Sequence, residues 1–169
     1  MNISRIAFVA SAMTAAAIAV APASACADAP PPCSDRQVTV TNGGQERASG
    51  HREVVLVFSL APGAPECSLT GYPGVDSGAG GPLIHASRTM AGFMGGLRDT
   101  DVPPTVPVTA VTSARAVVEG VAVDRTDLYH ECPTYTELLV TAPDTSTATS
   151  IHIDMDTCEL QVHPIGSWS

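Results

Sequence analysis

The chain has no lysine; its eight basic residues are all arginine, and against 17 acidic residues they leave a net charge of −9. Arg5 lies in an apolar N-terminal stretch, so residues 28–169 carry seven arginines and all 17 acids, a net of −10. That balance excludes a surface built to hold phosphate backbones or anionic lipid by charge, and no nucleic-acid partner is expected. Aromatics are scarce: three Phe, three Tyr and one Trp. Phe8 falls in the N-terminal stretch, which leaves Phe58 and Phe93. No segment shows the 3.6-residue apolar period of an amphipathic helix, which argues against bundles and α/β layers.

Signatures of chemistry are missing as well. The five histidines, His51, His85, His130, His152 and His163, show no ligand spacing. No Gly-x-Ser-x-Gly elbow occurs. Asp76-Ser77-Gly78 echoes the nucleophile loop of trypsin-like proteases, but one small domain cannot supply the two barrels that assemble such a triad. Asp154 and Asp156 point to one face of an extended segment and suggest at most a weak surface cation site. No catalytic residue, resident metal or cofactor is therefore expected.

What is present begins with export. Arg5, the apolar run Ile6 to Val20, Pro22 and the small residues Ala23-Ser24-Ala25-Cys26-Ala27 have the order of a secretory signal. The run is shorter than the ~20 residues that span a bilayer. Cleavage after Ala27 is one route. The other reads Ala23 to Cys26 as a lipobox, with Cys26 lipidated, the one case in which a membrane partner is expected. Domain organisation follows: signal 1–27, Pro-rich leader 28–32, and one domain over 33–169.

Excision or lipidation each removes Cys26 from the five cysteines. The remaining four, Cys33, Cys67, Cys132 and Cys158, allow three pairings. Pairing of sequence neighbours, Cys33 with Cys67 and Cys132 with Cys158, is the expectation in an oxidising compartment.

Between the cysteines, β-branched and alternating segments recur with turn residues between them. Gln37 to Thr41 reads as a strand ended by an Asn42-Gly43-Gly44 turn. Val54 to Leu60 reads as a buried strand, and Cys67 to Val75 as its neighbour across Ala61-Pro62-Gly63-Ala64-Pro65. Further strands are expected at 83–87, 105–109, 114–123, 136–141, 149–154 and 158–163. If the last two pair, His152 and His163 become neighbours. This pattern is that of an all-β, Ig-like antiparallel β-sandwich with two disulfides. Two loops stand out: Phe93-Met94, an apolar pair between glycines and a candidate partner contact, and Cys132-Pro133-Thr134-Tyr135, a disulfide-flanked segment of the kind that suits a protease inhibitor.

Cys67-Ser68-Leu69-Thr70-Gly71-Tyr72-Pro73-Gly74-Val75 resembles the signature Cys-x-Leu-x-Gly-Tyr-Pro-Gly-Val of an actinobacterial family of secreted proteins and lipoproteins, the domain of unknown function 4232 type. The hydrophobic strand before it, Ser113 to Val118, Cys132, the Pro143-Asp144 turn and Cys158 to Ile165 follow in that family's order. The resemblance implies a β-sandwich and export, and implies no activity. The functional expectation is an exported or envelope-associated, non-enzymatic binding module for an envelope or extracellular partner; the alternative is a secreted protease inhibitor acting through the Cys132 loop.

Overall fold

The long hairpin of β1 (Val38–Ala48) and β2 (His51–Leu60) turns at Ser49-Gly50, where φ is positive at both residues (49° and 82°), as the tightest hairpin turns require. The computed structural model describes residues 29–98, 100–127 and 130–166, so the expected signal segment 1–27 and Cys26 lie outside the described residues. Asn42-Gly43-Gly44, expected as a turn, is a bulge inside β1: pairing passes from Asn42–Leu56 to Gly44–Val55. Gly43 has no room for a side chain there, since a Cβ would run 2.5 Å from Val57 Cγ2.

Val54, Leu56 and Phe58 of β2 point inward and are fully buried. β9 (Ala114–Val121) pairs antiparallel with β2 and sends Ala114, Ala116 and Val118 into the same core. β12 (Glu159–Val162) and the short β5 (Ser87–Arg88) complete a five-stranded sheet in the order β1-β2-β9-β12-β5. Facing it is a second sheet, β11-β10-β4, made of β11 (Ala148–Asp156), β10 (Thr134–Thr141) and β4 (Gly74–Ser77). Its Ile151, Ile153, Met155, Leu138, Val140, Tyr135 and Val75 meet the first sheet in one core. A small pair, β3 (Cys67–Leu69) with β8 (Val106–Val108), and the two-residue strands β6 (Ala91–Gly92) and β7 (Gly95–Gly96) complete the set. The fold is all-β and sandwich-like, with no helix among the described residues.

Two expected neighbour relations change. Val54 to Leu60 and Cys67 to Val75 do not pair; β3 joins β8 and β4 joins β10. Pro62 and Pro65 between them lack the N–H a ladder needs, and the carbonyl of Pro65 is held instead by Gln37 Nε2 at 2.8 Å. The last two strands also part, β11 to the second sheet and β12 to the first, so His152 is exposed while His163 is buried.

The sheets meet along both long edges. On one side residues 84–88 pass between them: Ser77 N donates to Ile84 O and Ala86 N to Val75 O, and β5 then pairs parallel with β12. On the other side no ladder joins β1 to β11. Side chains of β1 bridge the gap: Asn42 Nδ2 donates to His152 O (3.1 Å), Arg47 Nη2 donates to Asp154 O (3.0 Å), and Gln45 Oε1 accepts Asp154 N (3.0 Å). These polar side chains occupy backbone groups that an exposed strand edge would offer to another chain.

Both disulfides join sequence neighbours, Cys33 with Cys67 and Cys132 with Cys158. The first fastens the end of the Pro-rich leader alongside β3, where Ser68 N donates to Pro31 O and Cys33 N donates to Ser68 O. The leader's last residues are therefore docked on the domain.

Candidate functional site

Residues of β9 alternate between the core and the outer face of the five-stranded sheet, and Glu119 falls on the outer face beside Val117. Water would normally cover such a position. Glu119 is instead only 2 % exposed, because the β6–β7 flap lies across it. Oε1 accepts the backbone N–H of Phe93 and Oε2 that of Met94, each at 3.2 Å. His51 Nδ1 lies 2.5 Å from Oε1, and His163 Nε2 lies 3.4 Å from Oε2. One buried carboxylate thus gathers four donors, which is how a buried charge is made tolerable.

The geometry assigns the protons. His51 must present Nδ1–H to the carboxylate, and His163 must present Nε2–H. The His163 Nδ1 lies between two oxygens of Thr89, the hydroxyl at 3.2 Å and the carbonyl at 3.3 Å; it accepts from the hydroxyl when the ring is neutral and donates to the carbonyl when the ring is protonated. The Phe93 ring stacks on His51 with centroids 4.3 Å apart and planes inclined by 16°. The flap therefore rests on the sheet by two amides and one aromatic face.

Glycine makes this approach possible. A Cβ on Gly92 would overlap the Glu119 carboxylate and come 3.0 Å from His163 Cε1, and one on Gly96 (φ 114°) would collide with the Met90 carbonyl and Ala91 Cα. The root of the flap is braced by the Cys67–Val75 segment: Tyr72 Oη donates to Met90 Sδ at 2.9 Å, with the Arg88 guanidinium 5.9 Å from the Tyr72 ring centroid. Thr89 N donates to Val162 O, which aligns the root with β12.

Burial pulls the Glu119 carboxyl upward, but the Met94 amide, His51, the Phe93 amide and His163 together outweigh it and hold it below its ordinary value of 4.5. Glu53, its cross-strand partner in β2, is displaced the other way: burial and then the neighbouring carboxylates of Glu46 and Glu119 raise it. A carboxyl whose value is lowered on folding contributes stability that is present above its unfolded value and lost as pH falls through its folded value. The Phe93 and Met94 amides should therefore stay protected from hydrogen exchange at pH 4.5 and lose that protection only in more acidic solution. Protection that fades well above pH 4.5 would show that Glu119 does not hold the flap.

Other expected sites resolve differently. Phe93 and Met94 are brought together with His51 and His163, whereas His85 pairs separately with Asp76 at 2.6 Å on the surface. The suspected cation site at Asp154 and Asp156 is taken by the protein's own arginines: Arg52 grips Asp156 through Nε and Nη2, both at 2.7 Å, and Arg47 lies 3.3 Å from Asp154. Among the described residues no cluster of three or more His, Cys, Asp or Glu side chains is placed to hold a metal. Glu119 was legible in the sequence only as one residue of a strand. The one available signal was an acid among apolar residues, Val117-Val118-Glu119-Gly120-Val121, where strand alternation alone put it on the wet face.

A family model described as a domain of unknown function (DUF4232) matches residues 33–166. No curated protein and no solved structure matches the chain.

Proposed function

Because the chain belongs to this family of unknown function, its role has to be argued from its own surface, and we propose that it is an exported, non-enzymatic, Ig-like binding module whose partner contact is the Phe93 flap. The observation that carries this reading is the state of Phe93. The residue is 58 % exposed while its own amide and that of Met94 are fixed on Glu119. An aromatic residue displayed on a backbone that is already ordered is the arrangement that gives a contact energy without a large ordering cost. Two disulfides suit the oxidising extracytoplasmic space where the partner, an envelope or extracellular protein, would be met.

An enzymatic reading of the Glu119–His51 pair has less support. Among the described residues no Ser, Thr or Cys side chain hydrogen-bonds His51, so the pair lacks a nucleophile to activate. The inhibitor reading is also weaker. Cys132 and Pro133 lead directly into β10, with Tyr135 buried and its hydroxyl donating to Pro82 O at 2.7 Å, whereas an inhibitory loop must protrude.

A photocrosslinking residue at position 93, installed in the producing cell, should capture one defined envelope or medium component. The same residue at Val111, which is 94 % exposed on another loop, should not. Phe93→Ala should weaken the captured interaction at least tenfold. Identical capture from both positions would refute the flap as the contact.

A further inference from the structure

Beside the Glu119 latch, the flap and the outer face of the sheet border a half-open cavity of about 190 Å³. Val55 of β2 and Val117 of β9 form its floor, and Met94, Gly95 and Gly96 form one wall. Its other two lining residues are charged and of opposite sign, Glu53 and Arg115. Register places them at opposite ends. Glu53 pairs with Glu119, Val55 with Val117 and Val57 with Arg115, so the two charged residues are separated by four residue steps, roughly 13 Å along the strands, with the valine floor between them.

Neither charged group has a hydrogen-bond or ion-pair partner among the described residues, and the one favourable influence on Glu53 is the more distant His163. Arg115 engages Gly166 only through its backbone. The contrast with their neighbours is sharp. Glu119 has four partners, and Arg47 and Arg52 hold Asp154 and Asp156. Glu53 is half-buried, and its cross-strand partners on both sides, Glu46 and Glu119, are also carboxylates. This end of the cavity gathers three carboxylates, and the other end carries an exposed guanidinium with no partner among the described residues. A molecule that answers both must carry a cation at one end, an anion at the other and an apolar body between. The volume holds about six waters at ~30 Å³ each, which sets the size.

We propose that the cavity between Glu53 and Arg115 is a binding site for a small linear zwitterion, its ammonium on Glu53, its carboxylate on Arg115 and its methylene chain over Val55 and Val117. The Met94-Gly95-Gly96 wall is already positioned, because the Met94 amide is fixed on Glu119. The site is independent of what Phe93 contacts, since Phe93 does not line it.

The test uses the folded, disulfide-intact domain and three probes of equal carbon count: 6-aminohexanoate, hexylamine and hexanoate. Amide resonances of Met94, Gly95 and Gly96 should shift saturably with 6-aminohexanoate, and the two singly charged probes should bind at least tenfold more weakly. Glu53→Gln and Arg115→Gln should each weaken 6-aminohexanoate at least tenfold. Both replace outward-facing side chains, and unchanged resonances of β10 and β11 would certify the fold. Glu53→Gln should leave hexanoate binding unaltered, because that probe lacks the ammonium. The proposal is overturned by the absence of saturable shifts, by equal responses to all three probes, or by affinities that neither substitution changes.

Discussion

Replacing Glu119 by alanine should free the flap and destabilise the domain by about 2–4 kcal/mol. The substitution removes the acceptor for the Phe93 and Met94 amides and the partner of two histidines in one step. What remains is a set of donors packed around a hole, and an unsatisfied buried donor costs more than the bond it made. Beyond the latch, the tip of the flap is held by the Phe93–His51 stack, while the other contacts fasten its root. β6 and β7 are two residues each, and their glycines contribute no side chains. Hydrogen exchange should show the amides of residues 91–97 losing protection far more than those of β10 or β11. Glu119→Gln should fall between wild type and alanine, since Gln keeps one oxygen acceptor but turns an NH₂ group toward a donor. If alanine costs under ~0.5 kcal/mol and the flap amides stay protected, the latch is not what seals the outer face.

Joint replacement of Cys33 and Cys67 by alanine should cost about 4 kcal/mol on the chain-entropy model, from the 34-residue separation the bond closes. The Tm should fall on the order of 10–15 °C for a domain of this size. Local effects point the same way. Both sulfurs are buried in the core cluster, so their loss leaves unfilled volume. The Pro30 and Pro31 carbonyls, which accept Ser68 Oγ and Ser68 N at 2.8 Å each, would lose the covalent link that keeps the leader on β3. The Cys132–Cys158 pair closes a shorter separation of 26 residues and should cost slightly less, about 3.5 kcal/mol. Thermal unfolding of the two double variants checks both the size and the order. A Tm loss under ~3 °C for the first pair would mean that the docked leader and its disulfide add little to the fold.

Much of the strand content was legible because its signals are local. Alternation and β-branching mark β10, β11 and the apolar centre of β2 within a few residues. The cysteine pairing followed from count and proximity. The errors share one origin. Asn42-Gly43-Gly44 has turn composition, yet the chain continues as one strand because β2 supplies partners on both sides of the bulge. The parting of β11 from β12, and of β2 from the Cys67 segment, depends on which layer each strand joins, and neither composition nor turn residues encode that.

The candidate site shows the same division. Phe93 and Met94 were noticeable because apolar residues between glycines on a loop are unusual. Their anchor was not, because Glu119 lies 25 and 26 residues away and strand alternation sends its side chain toward water. An all-β, acidic, disulfide-stapled chain was readable from the residues alone, since charge and cysteine count are set by composition and period by residue order. Three features needed the folded chain: a dry Glu119, His51 and His163 on either side of it, and Glu53 and Arg115 at the ends of one cavity with no partner among the described residues. Burial and pairing depend on which distant segments are laid over a face, and that is settled by packing the whole domain.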